Sequence, residues 1–147
     1  MGDRAWFQIE FAEKDQQKFA DLDDEFNKDN FDEVDINSGI LSGTFYEMNY
    51  GGYSQIDKFA EAKLTFRANH GAGGNYPAGE AVCFNGWLRE LVSDDHGSVM
   101  VPITKDGVSQ RYLDHAREFF EINDKIDEYF KNANIQNNSH SNLKKTA

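Results

Sequence analysis

The sequence predicts an α+β fold: a mostly antiparallel sheet with two long helices and one short one. The first long helix is N-terminal and acidic, the second C-terminal and amphipathic. Three observations predict it. Several short stretches alternate apolar and polar residues, the period of a half-buried strand. Asn85-Gly86 joins two such stretches, and that dipeptide accepts the positive φ angles of a type I′ hairpin turn. Apolar residues at helical spacing appear only near the two ends and in one brief middle segment. Hairpins dominating the middle argue against a doubly wound parallel sheet.

The elements follow in order. Residues 4–11 place Phe7, Ile9 and Phe11 on one strand face. Over 13–27 the period changes, and Phe19, Leu22 and Phe26 form a narrow helical stripe. Val34 and Ile36 mark a short strand before an Asn37-Ser38-Gly39 turn, and 40–50 a longer one ended by Gly51-Gly52. Ser54 and Asp57 resemble a capping box opening a short helix to Ala62. Residues 64–69 return to strand. The loop 70–79 carries four glycines and a proline. After the Asn85-Gly86 hairpin, Asp94, Asp95, His96 and Gly97 form a turn. Residues 98–103 read as a strand that Pro102, lacking a backbone donor, confines to an edge. The last helix is capped by Ser109 and runs to about Asn132, with Tyr112, Ala116, Phe119, Ile122, Ile126 and Tyr129 at helical spacing. Residues 1–133 read as a single domain. The polar, aperiodic stretch 134–147 reads as a disordered tail.

With 147 residues, a second domain would leave both halves short of core. Twelve Phe, six Tyr and two Trp bury large areas each, so a modest apolar share suffices to close one core. Cys83 is the single cysteine, which excludes an intramolecular disulfide. No charged start leads into an apolar stretch, and no run approaches a membrane span, so the expected location is cytoplasmic. The net charge of −11 opposes direct contact with nucleic acid or an anionic membrane.

That charge is local. Residues 10–35 hold eleven acids against three lysines, which is −8 of the −11. Asp21, Asp23, Asp24 and Glu25 fall at the C-terminal end of the expected first helix, where each carboxylate opposes the helix dipole by about 0.3–1 kcal/mol. Asp29, Asp32, Glu33 and Asp35 continue the run. A broken local rule without local gain marks a candidate functional surface. The plainer account is an acidic surface that aids solubility. A calcium loop starting at Asp21-x-Asp23 fits poorly, because Phe26 stands where Gly is needed and Asp32 where Glu is.

Other constellations carry less. The glycine-rich 70–74 segment lacks the lysine and following helix of a phosphate cradle. His70, His96, Asp94 and Asp95 have the residue types of a hydrolytic metal site, but 94–97 also has ordinary turn composition. Cys83, within a strand, reads as a small buried hydrophobe, and His115 as solvated. Tyr46, Met48 and Tyr50 share a strand face by the period of two, with Tyr53 nearby. The stretch is either core or a Tyr-rich contact surface.

The expectation is a non-enzymatic interaction protein, without metal or cofactor, that docks Asp21–Asp35 on a Lys/Arg-rich surface of another protein. In its sharpest form it is a nucleic-acid mimic, like the small acidic phage inhibitors of restriction or CRISPR systems in charge and size. The alternatives are a small metal-dependent hydrolase or transferase using His70, His96, Asp94 and Asp95, and a structural subunit of a larger assembly.

Overall fold

Apolar alternation on β1 (Arg4–Ala12) decides the architecture, because this strand is buried on one face along its whole length. The computed structural model describes residues 4–49, 52–94 and 96–146, with side chains as far as residue 134. Tyr50 and Asp95 lie outside the described residues. Around β1 gather β2 (Glu33–Asn37), β3 (Ile40–Asn49), β4 (Phe66–His70), β5 (Gly79–Phe84), β6 (Trp87–Ser93) and β7 (Val99–Met100). They form one sheet in the order β2-β3-β1-β4-β5-β6-β7, with every neighbouring pair antiparallel. The α-helices are α1 (Gln16–Leu22), α2 (Tyr53–Glu61) and α3 (Gln110–Thr146). The chain is α+β, as the alternation predicts.

The two sheet faces bury different sets of residues. Phe7, Ile9, Phe11, Leu41, Phe45, Phe66 and Cys83 point toward α1 and α2 and pack with Phe19, Phe26, Ile56 and Phe59. The opposite face puts Ala12, Val82 and Leu91 against Phe119, Ile122, Ile126, Phe130 and Ala133 of α3. The first set is dominated by phenylalanines in edge-to-face contacts, such as Phe26 with Phe45 at 5.3 Å and Phe19 with Phe59 at 4.9 Å. The Asn85-Gly86 turn adopts positive φ at both residues and joins β5 to β6 as predicted.

Five expectations change. The long acidic N-terminal helix is not formed: a 3-10 turn (Glu13–Asp15) leads into an α1 that ends at Leu22. Asp23 is extended, its carboxylate accepts from the Glu25 amide at 3.1 Å, and the chain turns so that Phe26 enters the core. Ser54 is not the cap of α2. Gly52, with φ +72, holds that place without a side-chain cap, because a Cβ there would fall 2.5 Å from the Phe7 ring. The strand over 98–103 shrinks to Val99–Met100 ahead of Pro102. A register shift between Ala5 and Phe7 bulges β3, so Tyr46 and Met48 do not share a face. Met48 packs on the phenylalanine core while Tyr46 is exposed on the other side. Finally, α3 continues to Thr146, through the stretch after 133 that periodicity leaves as a tail; its last described core contact is Ala133. Helix propagation adds one backbone bond per residue and needs no apolar partner at each step.

Candidate functional site

The acidic segment leads from α1 to β2, the terminal strand of the sheet. Phe26 and Phe31 anchor residues 23–32 on the α1 and α2 side, each buried against Phe45. Their apolar rings point inward, which leaves the intervening carboxylates outward. Glu33 and Asp35 then sit on β2, the terminal strand, in register with Thr44 and Ser42 of β3. Alternation with Val34 and Ile36 turns them to the α3 side of the sheet. The acids thus run from the end of α1 to the β2 edge, the segment anchored by Phe26 and Phe31 on the α1 and α2 side and Glu33 and Asp35 on the α3 side, instead of forming one stripe on a helix.

Each carboxylate has a local setting. Asp21, the only one of the set in α1, accepts from the Gln17 amide at 2.7 Å. Asp23 caps Glu25 as above. Asp32 accepts from the Tyr46 backbone N–H at 2.8 Å. Glu33 takes the hydrogen bond of the Tyr46 hydroxyl; that bond, then desolvation, then the charges of Glu33 and Asp32 raise the phenol above its usual range. Asp24, Glu25, Asp29 and Asp35 are exposed. Among the described residues none of these eight carboxylates forms an ion pair with a lysine or arginine. The nearby Lys18 turns instead to Asp15 at 3.5 Å, and Lys14 lies over the Tyr129 ring at 5.0 Å.

Tyr46, more than half exposed, extends this run. Tyr53 lies elsewhere, at the start of α2, where its ring meets His70 edge-on at 5.2 Å.

The residues of the metal-site alternative are only partly brought together. His70 is buried, and Asp94 shares a cavity wall with it beside Trp6 and Ser93. Asp94, however, spends its Oδ1 on the backbone N–H groups of His96 and Ser98, at 2.9 and 2.8 Å, and His96 is exposed. Among the described residues no group of three or more His, Cys, Asp or Glu side chains is placed to hold a metal ion. Cys83 is fully buried, and burial pushes its thiol up to about 11, the behaviour of an inert core residue. His115 is half-buried, with Nε2 2.8 Å from the Glu90 carbonyl oxygen.

Two groups escaped sequence reasoning. Glu90, on β6, lines a cavity of about 230 Å³ with Tyr53 and His70. Trp6 lies half-exposed over Gly71, where a Cβ would fall 2.5 Å from its ring nitrogen. Neither carries a local signal, since a Glu or Trp in an alternating strand reads as an ordinary outward residue.

The fold is an α+β arrangement on one antiparallel sheet, with most of the net negative charge in residues 10–35. The chain matches no known protein family, no curated protein and no solved structure. Among the described residues no helix is long and apolar enough to cross a membrane.

Proposed function

We propose that this chain is a non-enzymatic interaction protein whose acidic rim docks on a Lys/Arg-rich surface of another protein. One observation carries the reading: Asp21, Asp23, Asp24, Glu25, Asp29, Asp32, Glu33 and Asp35 follow one another from α1 into β2, the terminal strand, and among the described residues no lysine or arginine is ion-paired to any of them. Like charges held close raise the energy of the free protein, and a cationic partner relieves that repulsion on binding. Terminal strands invite pairing, and charges beside them deter self-association while leaving a basic partner admissible. In its most specific form the rim imitates the phosphates of a nucleic acid and occupies the groove of a nucleic-acid-binding protein, an inhibitor of the anti-restriction or anti-CRISPR type. Such a protein would act in the cytoplasm.

The test is a pull-down from a lysate with the full chain, followed by affinity measurement on the captured protein. Affinity falls at least about tenfold between about 0.05 and 0.5 M KCl, because exposed charges are screened. It falls again when Asp21, Asp23 and Asp24 become Asn and Glu25 becomes Gln, with the circular dichroism of the fold retained. Affinity unchanged by both manipulations removes the proposal.

A further inference from the structure

The cavity between α2 and the β5–β6 hairpin has the chemistry of a cation site. Its volume is about 230 Å³. Gly79 and Ala81 open its floor, and Ile56 supplies an apolar wall. Gly79 faces His70 so closely that a Cβ would fall 2.8 Å from the imidazole Nε2. The other ring nitrogen, Nδ1, donates to the Gly71 carbonyl at 2.9 Å, so in the neutral ring Nε2 is an acceptor. His70, Tyr53 and Tyr76 meet edge to face, with centroids 5.2 to 6.0 Å apart.

Glu90 supplies the charge. Burial, then the neighbouring charge of Asp57, raise its carboxyl above the usual range, with His115 opposing them. Its carboxylate has no hydrogen bond and no ion pair among the described residues. Among the described residues no lysine or arginine lines the cavity. An anion would meet the carboxylates of Glu90 and Glu80 in the cavity wall, with Asp57 adding to the negative charge nearby. A wholly apolar ligand would strand a half-buried carboxylate, and among the described residues a metal ion finds no cluster of three ligands. An alkylammonium group meets every requirement: its charge pairs with Glu90, an N–H donates to Nε2, and its stem lies against Ile56 and the aromatic rings.

We infer that this cavity binds an alkylammonium group, presented either by a free amine or by a lysine side chain. The site stands apart from the acidic rim. Its test is an amide-shift NMR titration of the full chain with n-butylammonium chloride and, separately, with N-acetyl-lysine N-methylamide. Shifts at Tyr53, Gly79 and Glu90 are expected, with a dissociation constant of about 1 mM for so small a ligand. Glu90→Gln weakens binding at least about tenfold. Asp57→Asn, at an exposed position, weakens it about twofold to fivefold, while neutralising the rim leaves it unchanged. Binding of butylammonium alone assigns a free amine; binding of the lysine derivative as well assigns a side chain. No shift at these amides up to about 50 mM ligand overturns the inference. So does equal affinity for n-butanol, or undiminished binding in both variants.

Discussion

Phe26 shows how one side chain overrules a local pattern. With Phe19 and Leu22 it completes a helical stripe, yet the chain leaves the helix at Asp23 so that Phe26 can meet Phe7, Phe31, Phe45 and Phe59 at once. Burying one more large ring outweighs the few tenths of a kcal/mol per residue that continuing a helix supplies. Asp15 belongs to the same scale. It is almost wholly buried, and the Tyr129 hydroxyl donates to it from α3 while Lys18 stands 3.5 Å away. Tyr129→Phe leaves this carboxylate short of a donor and is expected to cost about 1–3 kcal/mol in urea unfolding. A smaller loss than about 0.3 kcal/mol would show that Lys18 alone satisfies it. Glu90 gives a pH-dependent prediction. Its folded carboxyl titrates above the unfolded one, chiefly by burial and secondly by Asp57. Ionisation therefore opposes folding above the folded pKa, and the opposition vanishes once pH falls below the unfolded value. Glu90→Gln should raise the melting temperature at pH 7 and lose that gain near pH 4; a constant gain across this window contradicts the assignment.

At the scale of elements, β2 and β3 depend on close approach. Gly43 of β3 lies under the Phe31 ring, and a Cβ there would fall 2.5 Å from three of its carbons. Gly43→Ala should destabilise by about 1–3 kcal/mol through displacement of that ring, read as a lower urea midpoint. Phe31→Leu in the same background should recover part of the loss; no recovery would place the strain elsewhere. The bulge opposite Trp6 is the second device. Tyr46 faces out beside Glu33 by plain alternation after Phe45, and the extra residue then returns Met48 to the core, which a strict period of two forbids. Pairing with a partner strand cannot be foreseen from 40–50 alone, so the Tyr face was only half legible. The Asn85-Gly86 hairpin was fully legible, because its turn chemistry is decided by two adjacent residues.

For the whole molecule, the distribution of charge matters more than its total. Among the described residues the carboxylates from Asp21 to Asp35 form no ion pair, whereas charges around α3 are engaged: Arg67 meets both Glu10 and Asp127, and Arg89 meets Glu118 at 2.7 Å. Arg67 also lies 5.3 Å from the Phe130 ring centroid, so one side chain ties β4 to the helix. Repulsion within the rim should make the folded state more stable as salt rises to about 0.5 M, seen as an increase in the urea midpoint in KCl. The Asp21→Asn, Asp23→Asn, Asp24→Asn, Glu25→Gln variant should show a smaller increase. An equal increase in both would mean that the repulsion lies elsewhere.

Strand periodicity, turn dipeptides and the clustering of acids are properties of neighbouring residues, and from them the chain alone determined an antiparallel α+β fold with its charge in one segment. Tertiary structure decided the rest. The end of α1, the face of Tyr46, the course of the acids from α1 to β2 and the meeting of Tyr53, His70 and Glu90 all depend on residues far apart in sequence. The physical reason is that burial and register are shared between segments, so no window on one segment contains the free energy that settles them.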